Sequence, residues 1–433
     1  MDQPAATWNH CLDHVALSDV GLRRANNQDA YCVVLAGSQA DFDQRGHLFM
    51  VADGMGAHAA GELASKMATD AVSLIYHKRL EQSPPEAILS AVLDANHQIH
   101  SRGQASPDFR GMGTTATTLV LLPTGALVAH VGDSRAYRVR GSRIEQLTFD
   151  HSLVWEMRAV GQLPDDNTPS YISKNIITRS LGPSATVQVD LEGPFPVQAG
   201  DTFLLCSDGL SGPLQDDEIG VVLSSLPPSE AAQALIDLAC LRGGPDNITV
   251  VIARVTGPQV VQDTDVAQST STASPNVRPV HPLVWTALGV SLLGAVGSLA
   301  IGYPLFALAS FLCAIVAIVT ALMQRHGGDG RRHSQADNRR FGRGPYVSCD
   351  NTPNADLLSR LVVIVRQLRD AATNENWKVD WKTFDGLLAR ATAADEAGDL
   401  TTAAREYLHA ITSMMTQLRQ QRAASSDSGI FIP

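Results

Sequence analysis

The chain has 433 residues, a net charge of −11 and 44% hydrophobic residues, an ordinary globular composition with room for two or three domains. The charge is uneven: residues 1–256 carry 17 Lys and Arg against 29 Asp and Glu, and the rest of the chain carries 16 against 15. An acidic first half excludes a nucleic-acid surface there. The six cysteines, Cys11, Cys32, Cys206, Cys240, Cys313 and Cys349, form no C-x-x-C pair, which argues against a disulfide framework and against a zinc site.

Met1 to His14 shows neither a basic start nor an apolar stretch, so no signal peptide is expected and the first domain is placed in the cytosol. Short β-branched or apolar runs bounded by Gly, Asp and Pro read as strands at His47–Ala52, Thr117–Leu122, Ala126–Val131, Thr202–Cys206 and Asn247–Val255. Apolar spacings of three and four read as helices at Ala60–His77 and Pro85–His100. The mixture predicts a layered α/β or α+β domain.

From Thr256 to Val280 the composition shifts to Ser, Thr, Gln, Val and Pro, as in a flexible linker. Pro282–Met323 contains no charged residue and is about twice the ~20 residues that one membrane helix needs. Gly302-Tyr303-Pro304 divides it, which predicts a two-helix transmembrane hairpin. Six arginines follow between Gln324 and Tyr346: Arg325, Arg331, Arg332, Arg339, Arg340 and Arg343. The positive-inside rule then places both ends of the hairpin in the cytosol, with the arginines near anionic lipid. Residues 355–422 read as helical, with Leu357, Leu361, Val365 and Leu368 on one face and Leu400, Ala404, Tyr407, Ile411, Met414 and Leu418 on another. Such stripes are the seam of a small helical bundle or a surface for a partner or self-association. Asp399 is placed as a helix cap after the turn at Ala394–Asp399.

Five aspartates stand at strand ends or turns: Asp29, Asp53, Asp133, Asp208 and Asp246. One Asp-Gly after a strand is ordinarily a turn. Five converging carboxylates repel one another unless a cation neutralises them, and an all-oxygen set suits hard ions such as Mg2+ or Mn2+.

The motifs around these acids, in chain order, are Gly21-Leu22-Arg23-Arg24-Ala25-Asn26-Asn27-Gln28-Asp29, Ala52-Asp53-Gly54-Met55-Gly56 and Gly113-Thr114-Thr115. Then come Gly132-Asp133-Ser134-Arg135-Ala136-Tyr137, Leu147-Thr148 with Asp150-His151-Ser152, Ser207-Asp208-Gly209 and Gly244-Pro245-Asp246-Asn247-Ile248-Thr249. Over residues 15–255 this series resembles the type 2C metal-dependent protein phosphatases in their bacterial form. The resemblance implies a four-layer α-β-β-α sandwich of α+β class with two metals in a channel at one end. Carried over by position, Asp53 bridges the metals, the Gly54 carbonyl binds one, and Asp29, Asp208 and Asp246 complete the shells. Arg24 binds the substrate phosphate, and Asp133 matches a position holding a third, weaker metal. His58 and His151 match motif positions and are assigned packing or hydrogen bonding.

Three positions depart from the family pattern. Gln28 stands where many members have Glu, Met55 where animal members carry a His, and Ala57 where bacterial members commonly have Gly.

The resulting layout is a catalytic domain at 1–256, a linker at 257–281 and a membrane hairpin at 282–323. A basic juxtamembrane segment (324–350), a small all-α domain (351–422) and a disordered tail (423–433) follow. The expected protein is a multi-pass inner-membrane phosphatase with cytoplasmic catalytic domain and C-terminus. It would hydrolyse phosphoserine and phosphothreonine in proteins with a hydroxide bridging two Mn2+ or Mg2+ ions, opposing a Ser/Thr kinase. The competing reading is a non-catalytic signalling or scaffold module that binds a partner through the same fold.

Overall fold

Alternation along the central strands organises the whole molecule. In β3 (His47–Met55), Leu48, Met50 and Ala52 point to one apolar cluster, and Phe49 and Val51 point to another. In β10 (Thr202–Cys206), Leu204 and Cys206 face outward while Phe203 and Leu205 face the second sheet. A strand buried on both faces reads as a continuous apolar run, which is why these strands are visible in the sequence.

The computed structural model describes residues 11–56, 59–163, 172–173, 176–257, 260–261, 294 and 341–427. Two antiparallel sheets pack face to face. The first runs β1 (Leu12–Asp19), β11 (Ile248–Val255), β10, β7 (Arg135–Arg140), β8 (Arg143–Gln146), β12 (Val347–Asp350). The second runs β2 (Asp29–Val34), β3, β5 (Ala116–Leu122), β6 (Gly125–Val131), β9 (Asp190–Phe195), with β4 (Gly113–Thr114) paired to β3. A short helix α1 (Gln39–Arg45) precedes β3, and helices α2 (Ala60–Lys78) and α3 (Pro84–Ala105) cover the second sheet. Beyond α4 (Leu153–Ala159) and α5 (Asp208–Ser211), helices α6 (Asp216–Ser225) and α7 (Pro228–Leu241) cover the first.

The C-terminal helices α8 (Ala355–Asn374), α9 (Trp381–Glu396) and α10 (Leu400–Asp427) do not stand apart as the sequence reading expected. The described residues from 341 to 427 fall in the same compact unit as those from 11 to 261. Leu361, Val365, Tyr407, Ile411 and Met414 share one apolar cluster with Ile219 and Val222 of α6 and Leu235 of α7. Arg405 donates to the Ser225 carbonyl at 2.9 Å, His409 meets Glu230 at 2.8 Å, and Arg419 pairs with the buried Asp237. The stripes, read as the seam of a small helical bundle in preference to a partner surface, pack together and also against the chain's own α6 and α7. The physical reason lies in α6: Glu218 to Leu223 are all buried, so that helix is covered on every side and needs a second layer above it. The cap at Asp399 forms as read, with the Thr402 amide donating to its carboxylate at 3.1 Å.

The membrane assignment is corrected. Among the described residues no helix is long and apolar enough to cross a membrane. Apart from residue 294, Pro282–Met323 lies outside the described residues, so the hairpin, the inner-membrane localisation and the contact with membrane lipid rested on sequence alone: an uncharged run, its central Gly-Tyr-Pro and the arginines after it. Composition does not distinguish an apolar run that crosses a bilayer from one that does not. Residues 341–350, read as juxtamembrane, return to the sheets: Phe341 bridges Gly193, and β12 pairs with β8 in register from Val347–Gln146 to Asp350–Arg143.

Candidate metal centre

Asp53 continues the inter-sheet face of β3 two residues beyond Val51, where the apolar filling between the sheets ends. Asp29 opens β2 directly opposite Asp53 in the antiparallel register, so both carboxylates leave the ladder on one face. The Asp53 backbone is held rigidly. Its N–H donates to Thr115 Oγ1 at 2.8 Å, and its carbonyl accepts from Thr114 Oγ1 and the Thr115 amide, each at 2.9 Å. Gly54 must be glycine, because a Cβ there would lie 2.1 Å from the Gly61 carbonyl oxygen and 2.5 Å from that of Gln28.

From the first sheet, Asp208 begins α5 just after β10, and Asp246 lies in the turn before β11. Asn247 ties this turn to the N-terminal loop. Its side chain accepts from the Gln28 amide at 2.8 Å and donates to the carbonyls of Val20 and Asn26. Asp133 follows β6 and is buried. Gly132 beside it is clamped by His151: the His151 amide donates to the Gly132 carbonyl at 2.7 Å, and the Gly132 amide donates to His151 Nδ1 at 3.0 Å. The far nitrogen, Nε2, meets Asp190 at 2.9 Å. His151 therefore hydrogen-bonds, as assigned, while His58 and Ala57 lie outside the described residues.

These acids act on one another electrostatically. Burial, then the Asp29, Asp208, Asp133 and Asp246 charges, raise the Asp53 carboxyl well above the ordinary range. Burial and neighbouring carboxylates push Asp29 and Asp133 up to about 7, and Asp208 is raised by burial and Asp246. A carboxylate crowd of this kind holds charge near neutral pH only with a cation present.

No group of three or more His, Cys, Asp or Glu among the described residues is gathered at ligand distance around one point. The local hydrogen bonds account for that: Ser207 and Thr249 each donate to Asp29 Oδ2 at 2.7 Å, and Arg24 holds Asp246 at 2.6 Å. Yet three buried carboxylate oxygens, Asp29 Oδ1, Asp133 Oδ1 and Asp208 Oδ1, have no hydrogen-bond partner. Orphaned buried acceptors are costly in protein alone. Hard oxygen donors left over in this way suit Mg2+ or Mn2+.

Sequence reasoning passed over several residues that shape the site. Ser207 and Thr249 orient Asp29, and both flank acids that the motifs already named. Arg135 pairs with Asp150 at 2.8 Å and Asp216 at 3.4 Å, and Tyr137 donates to Asp216 at 2.8 Å. Gln28 carries no charge and packs under Gly61, its Nε2 reaching the Gly56 carbonyl at 3.4 Å.

The protein phosphatase 2C family model matches residues 23–237. A putative 2C-type phosphatase of Streptococcus pyogenes is 38% identical over 240 residues, which are 54% of this chain and 94% of that protein. The serine/threonine protein phosphatase PstP of Mycobacterium tuberculosis is 37% identical over 254 residues, 56% of this chain but 45% of the relative. The crystal structure of the M. tuberculosis phosphatase PstP/Ppp aligns at 35% identity with a TM-score of 0.50, covering 57% of this chain and 99% of that one.

Proposed function

Because the chain belongs to the protein phosphatase 2C family, we propose that it hydrolyses phosphoserine and phosphothreonine in proteins, opposing a Ser/Thr kinase. The observation that carries this reading is the set of orphaned oxygens on Asp29, Asp133 and Asp208, with Asp53 held opposite Asp29 in the sheet. Asp53, Asp29, Asp208, Asp246 and the Gly54 carbonyl would hold two divalent cations, Mn2+ or Mg2+, and Asp133 would help hold a third. Bound, the cations supply an acidified water and positive charge against the phosphoryl oxygens.

The protein's own groups do the rest. Thr114 and Thr115 fix the Asp53 backbone, so its carboxylate enters the site without reorganisation. Ser207 and Thr249 take one oxygen of Asp29 and leave the other free to aim into the site. Arg24 is half exposed at the rim, and its guanidinium has five donors, one of them given to Asp246. The remaining donors suit two phosphate oxygens and set the angle of attack. No side-chain nucleophile is required, because water attacks phosphorus directly.

Arg24→Ala should raise KM for a phosphoserine peptide on the order of tenfold and lower kcat by less, since it removes a substrate contact and leaves the carboxylates in place. An exposed Arg–Asp pair with no other role would be worth ~0–1 kcal/mol. Steady-state kinetics indistinguishable from wild type would reduce Arg24 to that pair.

A further inference from the structure

We infer that the returning segment Phe341–Asn351 is a strap that positions the Phe149–His151 loop and α4 beside Asp133, with Tyr346 as its positioning residue. The inference rests on the reading of Asp133 as a cation-binding group, and the strap lies beyond the residues that match the family model.

The strap is built into the catalytic unit at four successive points. Phe341 exchanges backbone hydrogen bonds with Gly193, the Gly193 amide donating to the Phe341 carbonyl at 3.1 Å. Glu192, on β9 and 2% exposed, accepts from the Gly344 amide at 2.9 Å and from the Tyr346 hydroxyl. The chain wraps so tightly there that Gly342, at φ +67°, would place a Cβ 1.8 Å from Glu192 Oε2. A carboxylate this buried requires donors, and the strap supplies them. Next, the Tyr346 amide donates to the Gln146 carbonyl at 2.8 Å, and β12 extends the first sheet. Finally, the Asn351 amide donates to the Ser142 carbonyl at 2.9 Å, and its side chain reaches Ser224 on α6.

Tyr346 connects this strap to the site. Its ring meets Phe149 edge-on with centroids 5.5 Å apart, and Phe149 meets Trp155 of α4 in the same way at 5.3 Å. The Phe149 carbonyl accepts from His130 Nε2 at 3.0 Å. Two residues later, His151 clamps Gly132, the residue before Asp133. Arg135 lies over the Trp155 ring at 5.6 Å while holding Asp150. Removing the Tyr346 ring uncovers one face of Phe149 and frees the loop that carries the Gly132 clamp.

The test uses the full chain and two readouts. Hydrogen exchange over Phe149–Ala159 should speed about tenfold in Tyr346→Ala. The Mn2+ concentration for half-maximal activity should rise about fivefold, because the clamp beside Asp133 is loosened. Tyr346→Phe keeps the ring and should restore the wild-type Mn2+ requirement. Asn351→Ala, at the far end of the strap, should loosen β12 and change neither readout. If Tyr346→Ala does not fold, Tyr346→Leu keeps bulk without the ring and carries the same expectations. Exchange over Phe149–Ala159 at the wild-type rate in the folded variant would overturn the strap. An equal shift in Mn2+ requirement in Asn351→Ala would do so too, because general loosening would then explain it. A wild-type chain that hydrolyses no phosphopeptide but shows ring-dependent exchange refutes the phosphatase reading and supports the strap.

Discussion

Asp53→Asn lowers kcat by several powers of ten, each factor of ten being about 1.4 kcal/mol of barrier, and extra Mn2+ recovers little of it. The amide matches the carboxylate in shape, and the backbone of residue 53 stays fixed by Thr114 and Thr115. What disappears is the one charge that couples to Asp29, Asp208, Asp133 and Asp246 together. With that charge gone, the remaining acids repel less, so the variant stripped of divalent ions should melt at or above the wild-type temperature. Lost activity with retained stability separates a site defect from a folding defect. A kcat near wild type would remove Asp53 from the centre of the site.

A chain ending at residue 261 loses much of its stability even though all five aspartates lie before that point. It lacks β12 and the layer α8–α10, and it uncovers the outer sides of α6 and α7. Each Leu, Ile or Val returned to water costs ~1.5–3 kcal/mol, so a handful is comparable to the ~5–15 kcal/mol that holds a domain together. The melting temperature should fall by at least ~10 °C relative to the full chain, with aggregation as apolar surface appears. Differential scanning fluorimetry on both chains decides it, and an equal melting temperature would show the C-terminal layer to be an accessory.

The central strands were legible because β3, β5, β6, β10 and β11 are covered on both sides and therefore read as largely apolar or β-branched runs. Both ends of α2 and the start of α3 came within a residue of their observed positions because each helix carries a clear apolar face, while α3 runs five residues further than expected. The edge strands β1, β2, β9 and β12 were not seen. Each is partly exposed, and their alternation is diluted by polar residues on the solvent side. The candidate acids stand out in the sequence because Asp53, Asp133, Asp208 and Asp246 each sit beside Gly, Ser or Asn in a short motif, and Asp29 closes another. The partners that hold Asp29 come from separate elements, Ser207 from the cap of α5 and Thr249 from β11, and only the fold brings them together. The C-terminal stripes read as a bundle seam, and that seam extends onto α6 and α7, which the sequence reading leaves out. Its counterpart was in view at Asp216–Ser225, where Ile219-Gly220-Val221-Val222-Leu223 leaves no polar face for solvent. An uncharged stretch longer than forty residues outweighed that clue.

Phosphate release from a phosphoserine peptide by the full chain, measured with Mn2+, after thorough chelation and after Mn2+ is restored, bears most directly on the central claim. The orphaned oxygens of Asp29, Asp133 and Asp208 require a cation to act, so release should stop on chelation and return with Mn2+. Release that continues undiminished through chelation would contradict the account.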